Sequence, residues 1–447
     1  MIRAIRDFIL LKRHQTQSTH DEIKDYQLKK LQALVNYAKE NSPYYHEKFS
    51  GLKLECLDDF SHFPTMDKDT LMTHFNSINT VHIDRQHALD FALRKERDKD
   101  YLGYYKDRYV LGLSSGTSGN KGLFITPKAL TKRLPAVFLA RSGLSLKELP
   151  YRILFLLRVF SQGFSDINAP FIKLKYLSTM TDPKTIIATL NKTKTNILMA
   201  PPSLLNQLVP HCDQITVRLK KIITYAEVLT AEDKAKFAKL FNTKIIEIYQ
   251  ASEGQIASPC LYGNLHINED LVYIELYDHK QQRIDEPHRI GHSMVLTNLV
   301  NVAQPLIRYR MNDMIVLDES CPCGSSFRTI KNVLGRDDDI LYFYNKNNQI
   351  DVVYPDLFAR WIITESDLIR EFQVTQNRIG HLDITIDTTA EYDVSLLKRR
   401  IHDELAGYGL TSKLVIAIAP IALPKDRNKY KRFVSYVKTN TSRSSYD

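Results

Sequence analysis

A loop rich in glycine and hydroxyl side chains is the strongest candidate for phosphate chemistry. The segment from Leu113 to Gly122 reads LSSGTSGNKG, with three glycines, four hydroxyl residues and one lysine, Lys121. Backbone N–H groups, hydroxyls and a positive charge can together bind phosphate oxygens, and an apolar run typical of a strand precedes the loop. It is not a Walker A loop, because glycine follows the lysine where serine or threonine would be required. The alternative is a flexible surface loop, which this composition directly after a strand makes less favoured.

Four residues in the second half of the chain could form a metal site. Cys260 and His266 are spaced as C-x5-H, and Cys321 and Cys323 form a C-x-C pair followed by glycine. Thiolate and imidazole ligands of this number suit tetrahedral zinc. Four protein ligands leave no open position, so the zinc is expected to be structural. The alternative is a set of unrelated buried cysteines and a turn.

Size and charge limit the classes of protein that fit. The chain has 447 residues, which suits two or three domains, and its 43% hydrophobic and 25% charged residues are typical of a globular protein. The net charge is +10 and the pI is about 9.1. Basic residues are spread along the chain apart from a concentration between Lys425 and Arg432, and no nucleic-acid motif accompanies them. We therefore expect anionic small-molecule substrates and no nucleic acid.

Cysteine usage and hydropathy bear on location. The five cysteines are an odd number, and the first thirty residues do not read as an export signal, so no disulfide framework is expected. No apolar stretch is long enough to span a bilayer. The sequence predicts a cytoplasmic protein, either a monomer or a homodimer.

Hydrophobic periodicity predicts the elements that must position these residues. Residues 20–50 read as helix, and Ser42-Pro43 stops it. From about residue 105, short apolar runs alternate with amphipathic stretches, which predicts a mostly parallel sheet. Strands are expected at 109–111, 153–157, 197–199, 222–224 and 245–248, and helices at 184–191 and 231–241. Short strands without helices from 264 to 318 indicate a smaller β-rich unit.

The predicted fold class is α/β. We expect a large N-terminal α/β domain with a β-rich subdomain over residues 1–334. A charged turn is expected at 335–339. A small α+β domain is expected over 340–447, with strands at 382–386 and 414–418 and a helix at 394–408.

Five segments in a fixed order carry a resemblance to the adenylate-forming superfamily, which includes the acyl-CoA synthetases. The glycine- and serine-rich loop resembles that family's phosphate loop. Tyr249–Glu253 resembles its Tyr-Gly-x-Thr-Glu segment, and Arg308–Asp313 resembles Tyr-Arg-Thr-Gly-Asp. Gly335–Asp338 resembles the Gly-Arg-x-Asp hinge, and Leu423–Lys429 resembles the closing Pro-Arg-x-x-Gly-Lys.

The branch that fits best contains the phenylacetate-CoA ligases and coenzyme F390 synthetases. Residues 34–45, 263–270 and 321–324 resemble its opening helix and middle region, so the resemblance covers nearly the whole chain. Gln250 and Asn428 replace family glycines, and Met311-Asn312 replaces Thr-Gly. These departures leave the charged groups of the motifs in place. They bear on the acyl substrate and the acceptor more than on adenylation.

The resemblance implies that residues 1–334 bind ATP and the acyl substrate, and that residues 340–447 move about a hinge at 335–339. It also implies a role for each residue. It makes Lys429 the adenylation lysine, Glu253 the Mg²⁺ ligand and Asp338 the hinge. Asp313 would bind the ribose hydroxyls of ATP, Arg336 the ribose or phosphate, and Ser252 would add a hydroxyl near the metal. Tyr249 would pack on adenine, and Glu227 would lie in a turn beside the adenine and acyl pocket. The ATP phosphates would be held by the loop residues Ser114, Ser115, Gly116, Thr117, Ser118, Gly119 and Lys121.

Each residue also has a plainer reading. Asp313 could simply pair with Arg308 or Arg310, Tyr249 could be ordinary core, and Lys429 lies among other cations. Glu253 could be a surface glutamate, and the hinge could be a solvated charged turn. The order of the five segments favours the functional readings.

The implied reaction has two steps. A carboxylic acid attacks the α-phosphorus of ATP and releases pyrophosphate, and the acyl group then passes to an acceptor, which the resemblance makes coenzyme A. One alternative is an F390-synthetase-like adenylyltransferase or amide-forming ligase that does not use coenzyme A; another is a protein that binds nucleotide without turnover. The aromatic residues Phe155, Phe160, Phe164 and Tyr225 suggest an apolar acyl pocket, although each is also typical of plain core.

Overall fold

The computed structural model describes residues 2–98, 102–113, 122–144, 146–157, 162–421 and 430–437. Its first part is helical, with the helices α1 (Ile2–Thr16), α2 (His20–Asn41), α3 (Pro43–Lys48), α4 (Lys68–Thr73), α5 (Phe75–Ile78) and α6 (Arg85–Arg97). Thr19 and Glu22 form a capping box that starts α2. The predicted stop is confirmed, because α2 ends at Asn41. The hydroxyl of Ser42 then caps a second helix, α3, whose first turn contains Pro43.

A five-stranded parallel sheet forms the centre of the next region, in the order β4-β3-β5-β6-β7. Its strands are β3 (Tyr151–Leu157), β4 (Ile172–Ser178), β5 (Ile197–Met199), β6 (Lys221–Thr224) and β7 (Lys244–Glu247). An antiparallel hairpin, β1 (Tyr109–Leu113) and β2 (Leu123–Pro127), precedes it. The helices of this region are α7 (Lys128–Thr131), α8 (Leu134–Arg141), α9 (Gln162–Ser165), α10 (Pro183–Lys192), α11 (Pro202–Leu208) and α12 (Ala231–Leu240).

Alternate residues of this sheet enter two different cores. Leu154 and Leu156 pack with Ile222 on one face, while Ile153 and Phe155 pack on the other. A sheet that is covered on both faces needs apolar residues at every position, which explains the continuous apolar runs. The predicted parallel sheet is therefore confirmed.

Antiparallel sheets follow, with no α-helix in the fully described stretch from 249 to 336. The strands are β8 (Tyr249–Ala251), β9 (Gly254–Pro259), β10 (Leu265–Ile267), β11 (Val272–Tyr277), β12 (Arg283–Ile284), β13 (Ile290–Gly291), β14 (Ser293–Asn298), β15 (Tyr309–Met311), β16 (Asp313–Leu317) and β17 (Thr329–Arg336). They form a six-stranded sheet, β13-β16-β17-β10-β9-β8, and a four-stranded sheet, β12-β11-β14-β15. Leu31 and Leu34 of α2 share a core with Ile274 and Leu276, so the helical region covers this β-rich unit.

The residues after the 3-10 turn Asp337–Asp339 build a core of their own, here called the C-terminal unit. Its elements are β18 (Leu341–Asn345), β19 (Ile350–Val353), α13 (Pro355–Ile363), β20 (Ile369–Arg378), β21 (His381–Thr388), α14 (Val394–Gly407), β22 (Leu410–Thr411), β23 (Lys413–Ile418) and β24 (Phe433–Ser435). Its main sheet has the order β23-β21-β20-β24. The only tryptophan of the chain, Trp361, is buried there against Phe358. The predicted α+β mixture is confirmed.

The whole chain thus has the predicted α/β class. Of the helices in the described residues, none combines the length and the apolar character needed to cross a membrane.

Candidate active site and metal centre

Two of the predicted nucleotide residues lie opposite each other on neighbouring strands. Asp313 begins β16, Arg336 ends β17, and the antiparallel register pairs them directly. The Nε atom of Arg336 lies 3.9 Å from a carboxylate oxygen of Asp313. Burial opposes the charge on Arg336, but the surrounding carboxylates, first that of Asp313, raise its pKa above the ordinary value. Two motifs that are separate in the sequence therefore form one charged pair.

Tyr249 joins this pair from the far edge of the same sheet. β8 and β16 are four places apart in the strand order, yet the charges of Asp313 and Arg336 both act on Tyr249. Burial, followed by the Asp313 carboxylate, raises the pKa of Tyr249 well above its usual value. Its hydroxyl is buried and has no hydrogen-bond partner within the described part of the chain. The sheet therefore curves to bring its first and last motifs together.

Glu253 lies in the turn between β8 and β9, near the same pair. Its backbone carbonyl accepts a 2.8 Å hydrogen bond from the Asn298 side chain, which fixes the turn. Its charge acts on Arg336, Tyr249 and Lys68. The neighbouring Ser252 is exposed. A partly exposed carboxylate beside the pair is suited to a hard cation such as Mg²⁺.

Lys68 lies beside the candidate site, and the sequence analysis did not single it out. The segment before it is hydrogen-bonded to β15, since Met66 N donates to Arg308 O at 3.0 Å and Arg310 N donates to Met66 O at 2.7 Å. This pairing places Lys68 near Glu253. Burial lowers the pKa of Lys68, while the charge of Glu253 opposes that shift. No motif or spacing around Lys68 sets it apart in the sequence.

The predicted hinge segment forms a 3-10 turn, Asp337–Asp339, directly after Arg336. Asp337 N donates to Asn312 O at 2.9 Å, which ties the turn to the Asp313 motif. Burial, with Asp338 beside it, raises the pKa of Asp337 to about 7. Burial also raises the pKa of Asp339 to about 6, although the nearby Lys431 ammonium lowers it.

Arg308, from the same motif as Asp313, has a structural role. It is buried and binds Glu275 through two nitrogens, at 3.0 and 3.1 Å. It also donates to the backbone carbonyls of Ser61 and Phe63. Arg308 is thus committed to Glu275, and Asp313 pairs with Arg336 instead.

Glu227 follows the carboxyl end of β6, where ligands typically bind in parallel sheets. Its carboxylate accepts hydrogen bonds from Ser203 N at 2.9 Å and from the Ser203 hydroxyl at 2.8 Å. Burial raises the pKa of Glu227 to about 6, against the effect of these bonds. The preceding Ala226 has a φ of 67°, so the turn that presents Glu227 is strained.

An aromatic cluster lies near the same edge of the sheet. The ring centroid of Phe155 is 5.1 Å from that of Phe164 and 5.3 Å from that of Tyr225. Phe155 is buried and belongs to the core on this face. Three of the four predicted aromatic residues therefore meet, and Phe160 lies outside the described residues.

The predicted phosphate loop and the predicted adenylation lysine also lie outside the described residues. These residues are Ser114, Ser115, Gly116, Thr117, Ser118, Gly119, Lys121 and Lys429. The hairpin of β1 and β2 pairs Leu113 with Leu123, so the two ends of the loop segment are held side by side. Gln304 fixes β2, accepting from Ile125 N at 2.8 Å and donating to Leu123 O at 3.0 Å.

The cysteines and the histidine of the predicted metal site converge. The ligand atoms of Cys260, His266, Cys321 and Cys323 all lie within 4.8 Å of one another. The Sγ atoms of Cys260 and Cys321 are 3.8 Å apart, and Cys323 Sγ is 3.4 Å from His266 Nε2. Ligands at zinc-binding distance around a tetrahedral ion lie roughly 3.5–3.8 Å apart. The donor set and its spacing therefore fit zinc.

Neighbouring groups orient these ligands. His266 Nδ1 lies 2.9 Å from the carbonyl oxygen of Phe327, so donation to that oxygen leaves Nε2 facing the cluster. Asn264 donates to Cys321 Sγ at 3.1 Å, a contact suited to a thiolate. The Cys260 and Cys321 side chains are buried, as is His266. The cluster joins β9, β10 and the loop before β17, which is the position of a structural clip.

Comparisons with known proteins agree with this architecture. Protein CapK of Staphylococcus aureus is 21% identical over 434 residues, which cover 90% of this chain and 88% of that protein. Phenylacetate-coenzyme A ligase of Pseudomonas putida is 22% identical over 388 residues, covering 81% and 80%. No protein-family model matches the chain.

Solved structures of 2-hydroxyisobutyryl-CoA ligase cover 95% of this chain and 91% of their own at 16% identity. The TM-score is 0.74 for its postadenylation state with 2-HIB-AMP and 0.59 for its thioesterification state with 2-HIB-AMP and CoA. This chain has the fold of the adenylate-forming acyl-CoA ligases. Its sequence is similar to the phenylacetate-CoA ligases among them.

Within this ligase fold, the structure brings together Asp313, Arg336, Tyr249 and Glu253, as the order of the motifs predicted. The hinge carboxylate Asp338 lies two residues beyond Arg336. Glu227 lies apart from these four residues, in the turn after β6, where it is hydrogen-bonded to Ser203. The functional assignment of each residue stays a prediction.

Proposed function

We propose that this protein is an AMP-forming acid–thiol ligase that activates a carboxylic acid as acyl-AMP and transfers the acyl group to coenzyme A. The observation that carries the proposal is the convergence of Asp313, Arg336, Tyr249 and Glu253 on one site in an acyl-CoA ligase fold. The relatives named phenylacetate-coenzyme A ligase support the thiol acceptor and an organic acid as substrate.

Each residue has a role that its geometry allows. The Asp313 carboxylate would accept two hydrogen bonds from the ribose hydroxyls of ATP, which are strengthened by its charge. Tyr249 has a buried hydroxyl without a partner among the described residues and would line the adenine side. Arg336 offers a cation for the ribose or phosphate. The predicted phosphate loop would hold the leaving pyrophosphate.

Glu253 would hold Mg²⁺, which would offset phosphate charge when bound. The partly exposed carboxylate beside two cations fits a site that is completed by nucleotide oxygens. Lys429 would contact the α-phosphate and the substrate carboxylate as charge develops on them. Because the reaction moves charge between oxygens, positioning and electrostatic stabilisation supply most of the catalysis.

The C-terminal unit would rotate about Asp338 between the two steps. Its separate core supports this proposal, and so does the higher TM-score with the postadenylation than with the thioesterification state of the solved ligase. The rotation would remove Lys429 and admit the acceptor. The acyl pocket would lie beside Phe155, Phe164 and Tyr225, which favours an apolar or aromatic acid.

We also propose that the four-residue cluster holds a structural zinc ion. The tetrahedral spacing and the orienting contacts of His266 and Cys321 support this assignment. With four protein ligands the ion has no open position, so it would take no part in the reaction.

The experiment that tests the function is a panel of carboxylic acids scored by pyrophosphate release, with and without coenzyme A. We expect one class of acid to give release and, with coenzyme A present, a thioester. A thioester-free adenylate, or an amide when amines are supplied, would instead assign the alternative ligase without coenzyme A. ATP binding without release for any acid would contradict the proposal.

A further inference from the structure

A buried ionic cluster joins the C-terminal unit to the parallel-sheet domain. Arg432 lies directly before β24, and its guanidinium binds Glu371 of β20 at 2.7 and 3.2 Å. Its third nitrogen, Nη1, binds Asp233 of α12 at 2.8 Å. The exposed fractions of the three side chains are 14% for Arg432, 7% for Glu371 and 1% for Asp233. One arginine therefore bridges two carboxylates that belong to different units.

Polar neighbours complete the cluster. Asn206 of α11 donates to Glu371 at 3.1 Å, and Lys236 of α12 donates to Asn206 at 3.1 Å. The cations Arg432 and Lys236 face the carboxylates of Asp233 and Glu371, and the buried Glu227 carboxylate also interacts with Arg432. The Arg432 guanidinium also lies 5.0 Å from the Phe372 ring centroid. A buried charge set that is paired and hydrogen-bonded favours one geometry, because any displacement leaves a charge without its partner.

A rotation of the C-terminal unit would break some bonds of this cluster and leave others intact. Arg432 and Glu371 are in the same unit and would move together. Asp233 and Asn206 belong to the other unit, so their bonds to Arg432 and Glu371 would break. A planar guanidinium can serve both carboxylates at once, which a single ammonium cannot do with the same geometry.

The cluster also restricts the predicted adenylation lysine. Lys429 is three residues before Arg432, and three residues of chain reach at most about 10 Å. Lys431, between them, binds Asp338 at 3.4 Å and Asp339 at 3.1 Å in the hinge turn. The chain that follows Lys429 is therefore anchored at two points, one on the hinge and one on α12.

We propose that Asp233 and Glu371 hold Arg432 as a latch that keeps the C-terminal unit in the arrangement used for adenylation. Arg432 is a positioning residue that acts through Lys429, and Asp233 is the half of the latch that is released before acyl transfer. The role in catalysis rests on the function proposed above. The latch itself rests on the contacts between the units.

An adjacent residue provides a matched control. Glu232, next to Asp233 on α12, pairs with Arg360 of α13 at 3.0 Å across the same two units. The side chains of that pair are 49% and 24% exposed, so solvent screens it and its loss should have little effect. Asp233→Asn and Glu232→Gln remove the same charge at neighbouring positions. They differ in whether the lost carboxylate is buried.

The test measures the two half-reactions separately, with pyrophosphate release for adenylation and transfer from synthetic acyl-AMP to coenzyme A for the second step. We expect Asp233→Asn to slow pyrophosphate release by about tenfold or more, as loss of a buried ionic partner implies. Acyl transfer should stay at the wild-type rate or rise. Glu232→Gln should stay within about twofold of wild type in both steps.

Arg432→Lys is a second variant, which keeps the positive charge but cannot bind Asp233 and Glu371 in the same geometry. It should also slow pyrophosphate release without slowing acyl transfer, but by a smaller factor. If Asp233→Asn released pyrophosphate at the wild-type rate, the latch would be overturned. It would also be overturned if either folded variant lost the same factor in both steps.

Hydrogen exchange keeps the test independent of the reaction. Faster exchange at residues 430–437 in Asp233→Asn, but not in Glu232→Gln, is expected, and equal exchange would overturn the latch even if no acid is ever turned over.

Discussion

The candidate nucleotide site and the cysteine–histidine cluster lie in the same six-stranded sheet but use their polar groups in opposite ways. The cluster joins four soft ligands with second contacts that point them at one another. The candidate nucleotide site gathers Glu253, Asp313 and the carboxylates of the 3-10 turn Asp337–Asp339 around Arg336, an arrangement with excess negative charge. Like charges that are held together to bind a ligand lower the stability of the folded protein. Ligands that surround a structural ion raise its stability when the ion is bound. The predictions below test this division.

The largest effect is expected from Asp313→Ala. The change removes two charge-assisted bonds to ribose, and at about 1.5–3 kcal/mol each it should weaken ATP binding at least ~100-fold. The protein should stay folded with only a small change in melting temperature, because Arg336 loses one partner but keeps the carboxylates of Asp338, Asp339 and Glu253 around it. Isothermal calorimetry with ATP and a thermal melt provide the two readings. Near-normal ATP affinity in the folded variant would remove Asp313 from the site.

Cys323→Ser should have the opposite effect, with a lower melting temperature and unchanged ATP binding. Metal analysis of wild-type protein prepared without chelator should find about one zinc per chain, and the variant should lose it. Its melting temperature should drop by about 5 °C or more. ATP binding should persist at temperatures where the variant is folded. Cys212→Ser, at a cysteine outside the cluster, should keep the zinc. Metal-free wild-type protein would contradict the assignment.

A smaller effect is expected from Asp337→Asn in the hinge turn. The folded pKa of Asp337 is raised to about 7, above the ordinary value of 3.8, mainly by burial. The unfolded chain therefore releases this proton first, so the carboxyl group lowers stability progressively as pH rises from about 4 to 7. The variant should melt higher than wild type at pH 8 and at the same temperature near pH 3. A melting difference that does not change with pH would contradict the raised pKa.

The smallest effect should come from Ser252→Ala. Its side chain is exposed at the turn beside Glu253, and a single neutral hydroxyl contributes about 0.5–1.5 kcal/mol. Pyrophosphate release should therefore slow by no more than ~10-fold, with zinc content unchanged. A loss as large as that of Glu253→Ala would give Ser252 a direct role in metal binding.

The order of motifs picked out residues that the structure places near one another, but it did not predict how they meet. Asp313 and Arg336 were each recognisable from their neighbours in the sequence. Their direct pairing depends on the register of β16 and β17, which includes bulges that spacing alone does not reveal. Lys68 was missed because its position depends on the hydrogen bonds of Met66 to β15, a contact between segments that are about 240 residues apart.

Local physical rules explain which elements were predictable. The strands of the parallel sheet are continuous apolar runs because both faces are buried. The interruption of the first long helix followed from Ser42 and Pro43. The helix α1 was not predicted because Ile5 and Ile9 are exposed while Leu11 is buried, so its apolar residues do not mark a single face.

The position of Trp361 gives the chain a built-in optical reporter. It is the only tryptophan, and it is buried in the C-terminal unit among Phe358 and Tyr408. Indole fluorescence will therefore follow the melting of that unit alone. If the protein binds the proposed zinc ion, its release to a chromogenic chelator will follow the β-rich unit. If the two signals change at different denaturant concentrations, the chain unfolds in more than one cooperative step. A buffer series with and without ATP would then measure how strongly the nucleotide couples the two units.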